Sequence, residues 1–299
     1  MNNFRSVVGW ILKLVASGLA YVAAGTVAAA VAAVAGLHAP AMPGAPSAGK
    51  AEAISLCMSL LLAAGLAPLA AGLSGAYTTR WLAITLLVFV NVGLNTVIET
   101  KIFMPTFAKV GGTFLLLMVA GGALAFGAVL ARIFGRSATT SAVARPYFRP
   151  GQWAWRVAVA VLAFPVIYYT FGMMVAPFVL PAYRAGVAGL VVPKASVILP
   201  VQIGRSALYL LGSLPAIWLW ARSRRGLILA FGWTGTVTTG LYGLLQAYWF
   251  PPVLRIAHSL EITADSFVYA LVIAILFRPR VTFASRVEGG EKNVTASAA

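Results

Sequence analysis

The chain of 299 residues is 61% hydrophobic and 9% charged, with a mean hydropathy of +0.92. Soluble globular chains carry roughly a quarter charged residues, so this composition excludes that class and predicts an all-α polytopic membrane protein. The net charge of +16 does not mark a nucleic-acid binder, because the basic residues stand singly or in small groups between apolar runs, without a basic arm or a nucleic-acid motif.

Apolar runs long enough to cross a bilayer predict about eight transmembrane helices, near 10–36, 53–75, 81–100, 111–134, 154–180, 198–221, 227–249 and 258–277. The first run, Leu14 to Leu37, exceeds the roughly 7–15 residues of a signal-peptide core and reads as a retained helix. His38 in the loop after it reads as a solvated residue. Cys57, the sole cysteine, allows no intrachain disulfide and reads as a packing residue in an apolar run.

The third span carries Asn91, Asn95 and Glu99 at i, i+4 and i+8, a stripe of about 80° on an α-helix. Such polar stripes serve as hydrogen-bonding glue between membrane helices. Glu99 stands out because an acid there needs a partner, although Lys101 nearby would suit an interfacial pair. The segment 135–152, basic and bearing Pro and Gly, reads as a cytoplasmic linker. The sixth span opens with Gln202 and Arg205, where a snorkelling arginine is the simplest reading. The seventh carries Thr238, Tyr242 and Gln246, again a polar stripe.

The last span holds the densest titratable set: Arg255, His258, Glu261 and Asp265. From Ile262 to Phe277 the run is too short for the roughly 20 residues a crossing needs. Starting the helix at His258 puts Glu261 and Asp265 inside the membrane, with Asp265 on the order of 10 Å deep. His258, Glu261 and Asp265 fall within about 60° of one another, and lipid exposure of a carboxylate costs roughly 2.5–3.5 kcal/mol or more. The face is therefore expected to turn inward. Two acids one turn apart, opposed by desolvation and balanced by nearby cations, form a set suited to proton exchange. The tail 281–299, small and polar, is expected to be disordered.

Sliding the chain on itself by 147 residues superimposes Tyr21 on Tyr168, Gly65 on Gly212, Pro68 on Pro215, Gly93 on Gly240 and Pro105 on Pro252. The expected organisation is thus two parallel four-helix repeats, 1–134 and 153–280. At this offset His258, Glu261 and Asp265 fall on Gly111, Phe114 and Met118, so only one half carries the ionisable face. The excess of Lys and Arg in alternate loops puts both termini in the cytoplasm of a cell-membrane protein.

The zinc-protease HExxH, GxSxG, GxGxxG and P-loop patterns are absent, and no metal site or cofactor is assigned. Besides the lipid bilayer, expected partners are a small-molecule or ion substrate, or another membrane protein. Three functions fit. The first is a carrier or permease using Asn95, Glu99, Gln202, Arg205, Tyr242, Gln246, Arg255, His258, Glu261 and Asp265 as substrate or proton ligands near the outer leaflet, with Arg205 or Arg255 receiving an anionic group. The second is an accessory subunit docking a partner. The third is an intramembrane acid/base enzyme acting on a lipid-linked or periplasmic substrate.

Overall fold

A computed structural model describes residues 2–39, 46–135 and 148–278. Among the described residues there is no strand, and eight helical segments are long and apolar enough to cross a membrane. They are α1 (Asn2–Val34), α2 (Ala48–Ala70), α3 (Tyr77–Phe103), α4 (Pro105–Ile133), α5 (Pro150–Arg184), α6 (Ala195–Leu219), α7 (Arg224–Gln246) and α8 (Pro252–Phe277). The protein is an all-α, multi-pass membrane protein. Most of the expected linker, 136–147, and the expected tail lie outside the described residues.

Local chemistry sets the helix starts. Pro105, Pro150 and Pro252 open α4, α5 and α8, where a missing N–H would have had no helical partner. Ser223 caps α7 by accepting from the Gly226 N–H at 3.1 Å. Starting at Pro252 makes α8 longer than the sequence suggested. Asp265 stands 13 residues beyond Pro252, about 20 Å along the axis at 1.5 Å per residue. It is half-way along the helix.

The helices α3 and α7 are not uniform. Each contains one wide π-helical turn, Phe89–Leu94 in α3 and Thr236–Leu241 in α7. There the Asn95 N–H reaches the Val90 carbonyl and the Tyr242 N–H reaches that of Val237, five residues back. The two turns touch. Asn91 donates from Nδ2 to Thr238 Oγ1 at 3.1 Å, between residues 147 positions apart.

A second contact has the same spacing. Leu73 and Trp220 form an isolated antiparallel bridge, flanked by Ser74 N–H to Leu219 carbonyl and Ala221 N–H to Gly72 carbonyl, both at 2.9 Å. Packing follows one pattern in each half of the chain. The helix α1 packs on α2 and α4, and α3 on α4; α5 packs on α6 and α8, and α7 on α8. Then α3 crosses to α6 and α7 to α2.

The end of the bundle holding the α2–α3 and α6–α7 connections is rich in arginine. Arg80 donates to the Gly75 and Ala131 carbonyls, Arg156 to Leu276, and Arg278 to Ile217 and Trp220. Apart from Gly75, which lies just before α3, these carbonyls stand at or near helix C-termini, which carry partial negative charge.

Candidate functional site

Gln202, Arg205 and Tyr209 occur at i, i+3 and i+7, so α6 presents them on one face. That face is turned inward, and Arg205 is only 3% exposed. A guanidinium at this depth requires partners, and they converge from two helices. Arg205 donates from Nε to Asn95 Oδ1 at 2.8 Å, and from Nη1 to Gln202 Oε1 at 2.9 Å. Its Nη2 reaches Glu99 Oε1 at 2.5 Å and the Tyr209 hydroxyl at 3.3 Å. The snorkelling reading therefore fails: Arg205 is held inside by a fixed set of acceptors.

The π turn explains how α3 serves two partners. The sequence read Asn91, Asn95 and Glu99 as one stripe on a regular helix. The extra residue per turn re-aims the helix beyond Leu94. Asn91 meets Thr238, while Asn95 and Glu99 meet Arg205.

On α8, His258 and Glu261 are joined at 2.6 Å between Nδ1 and Oε2. The other ring nitrogen of His258 lies 3.2 Å from the Tyr183 hydroxyl of α5, the proton position depending on the tautomer. Glu261 is 5% exposed, whereas the His258 side chain is 20% exposed. Gly172 makes room for the acid, since a Cβ there would stand 3.2 Å from Glu261 Oε1.

One turn deeper, Asp265 is also 5% exposed, and its Oδ1 has no hydrogen-bond partner. It lines a cavity together with Asn91, Glu99, Tyr168, Arg205 and Tyr209, enclosed further by Phe164, Phe231 and Tyr269. About 70 Å³ is open to the centres of water-sized molecules, where one water needs roughly 10–15 Å³. Asp265 is within electrostatic reach of Glu261 and Arg205, and Tyr168 within reach of Glu99, Arg205 and Glu261. Arg205 and Glu99 line this cavity, whereas Tyr183, His258 and Glu261 form a separate hydrogen-bonded set, with Glu261 one helical turn from Asp265 on α8.

Three candidates stand apart. Tyr242 donates its hydroxyl to Tyr21 at 3.3 Å, and their rings meet edge to face. Gln246 donates back to the Tyr242 carbonyl at 2.8 Å. Arg255 lies in the first turn of α8, its Nε buried without a hydrogen-bond partner. Conversely, Tyr183 and Tyr209 belong to the site although the sequence did not single them out. Tyr209 could have been found from its spacing to Arg205. Tyr183 could not, being 75 residues from His258 with nothing local to link them.

Among the described residues no group of three or more His, Cys, Asp and Glu stands where it could hold a metal ion. No protein-family model matches the chain, and comparison with curated proteins and with solved structures found no match either.

Proposed function

We propose that the protein is a proton-coupled carrier built from two parallel four-helix halves, with both termini on the arginine-rich, cytoplasmic side. The observation that carries this reading is Asp265: a buried carboxylate, half-way along a spanning helix, facing a cavity with one oxygen unpartnered. Keeping such a group in the membrane interior is expensive, so acids there usually serve ion or proton pathways.

The spacing of the two halves supports the same reading. The π turns, the Asn91–Thr238 bond and the Leu73–Trp220 bridge all fall at an offset of 147 residues. That is the expected signature of parallel repeats around an axis along the membrane normal, a recurring carrier architecture. The relay Tyr183–His258–Glu261 offers protons a route from the more exposed histidine toward Asp265.

Proteoliposomes containing a trapped pH dye test the proposal with a panel of small cations, anions and neutral solutes. Proton movement coupled to at least one solute is expected. Asp265→Asn should reduce it by about tenfold or more, the scale of losing a charge-assisted interaction, with an unchanged melting temperature. Absence of coupled proton movement for every solute overturns the reading.

A further inference from the structure

The cavity also has a chemical preference. Among the described residues Arg205 is the only cation on its wall, yet four of its five N–H donors are already engaged, by Asn95, Gln202, Glu99 and Tyr209. Its charge is matched by Glu99. This leaves the Asp265 carboxylate as the uncompensated charge on the wall.

Three buried polar atoms of cavity-lining residues have no hydrogen-bond partner, and two of them can only accept, while the third, the Tyr269 hydroxyl, can donate or accept. Asp265 Oδ1 and Asn91 Oδ1 are both buried acceptors without a donor, and both residues line this cavity. Asn91 spends its amide N–H on Thr238, which fixes its oxygen as the free end. Two acceptors without donors call for a guest that brings N–H groups and positive charge. The remaining walls include Phe164, Tyr168, Tyr209 and Tyr269, whose ring faces attract cations.

We propose that this cavity is a binding site for a small organic cation bearing an ammonium group, taken up by Asp265 in exchange for a proton. The exchange balances simply. A protonated Asp265 loses its proton as R–NH3⁺ arrives, giving a carboxylate–ammonium pair and one released H⁺. With Arg205 and Glu99 cancelling, the cavity then keeps one neutralising positive charge at Asp265 in either state. An anionic substrate, expected from the sequence on the strength of Arg205 or Arg255, would meet an occupied guanidinium and an opposing carboxylate.

The binding half of this inference stands on the cavity alone, while the exchange half rests on the carrier reading. Titration of ethylammonium chloride into the detergent-solubilised full chain tests it, with sodium chloride and potassium acetate as the comparison salts. Saturable ethylammonium binding is expected, with one proton released per cation bound. Asp265→Asn should weaken it by about tenfold or more, whereas Glu52→Gln, at an exposed acid on α2, should leave it intact. A melting curve of Asp265→Asn matching the parent excludes loss through misfolding, and Asp265→Glu should restore part of the binding.

Acetate binding in place of ethylammonium overturns the cation site. Sodium binding of equal strength, equally dependent on Asp265, overturns the ammonium assignment in favour of an inorganic cation. Ethylammonium binding without coupled proton flux in vesicles removes the carrier reading and the exchange step but leaves the site. Coupled flux without ethylammonium binding does the reverse.

Discussion

Arg205 and Glu99 form one ion pair with unequal surroundings: the arginine side chain is 3% exposed and the glutamate 40%. The two single substitutions should therefore differ. Glu99→Gln leaves a buried guanidinium with only neutral partners, and breaking a buried pair in this way costs about 3–5 kcal/mol. The remaining bonds to Asn95, Gln202 and Tyr209 argue for the lower end. Arg205→Met leaves a glutamate that can still reach solvent, so its loss should be smaller. Thermal melting of both variants in one detergent checks the order, and equal losses would remove the argument. Methionine is the apt replacement because Met58 stands at the offset of 147 from Arg205.

At the scale of elements, the π turns hold α3 and α7 against the opposite half. A Cβ on Gly65 of α2 would lie 2.6 Å from Val237 Cβ in the α7 turn, and one on Gly212 of α6 would lie 3.1 Å from Val90 Cβ in the α3 turn. Without a hydrophobic drive between helices in lipid, such close approaches carry much of the packing. Gly65→Ala should cost about 1–3 kcal/mol by overpacking. Gly212→Ala should cost less, because its neighbour need move only slightly. Adding Val237→Gly, which removes the clashing Cβ, to Gly65→Ala should recover part of the loss. Melting temperatures of the three variants test this, and no recovery would mean that the strain lies elsewhere.

At the scale of the whole molecule, the candidate site draws on both proposed halves. Asn91, Asn95 and Glu99 come from α3, whereas Tyr183, Arg205, His258, Glu261 and Asp265 come from α5, α6 and α8. Cutting the chain within 136–147 and expressing both pieces should therefore give fragments that co-purify. A second fragment that is monodisperse and stable alone would show that the crossing of α3 onto α6 is dispensable.

The membrane class, the eight spans and the inward turn of the α8 acids were legible in the residues alone, because hydropathy, span length and the cost of a lipid-exposed carboxylate are local properties. The sequence also located Gln202 and Arg205 on one helical face. Tertiary structure decided the rest. It re-aimed α3 through a π turn that no residue pattern announces, and it joined Arg205 to Glu99 across 106 positions. It also set Tyr242 against Tyr21, moving it out of the set around Arg205. Helical spacing fixes which face a residue shares, but which helix that face meets depends on how the spans cross. That crossing is decided by glycines, buried polar bonds and packing between segments far apart in the chain.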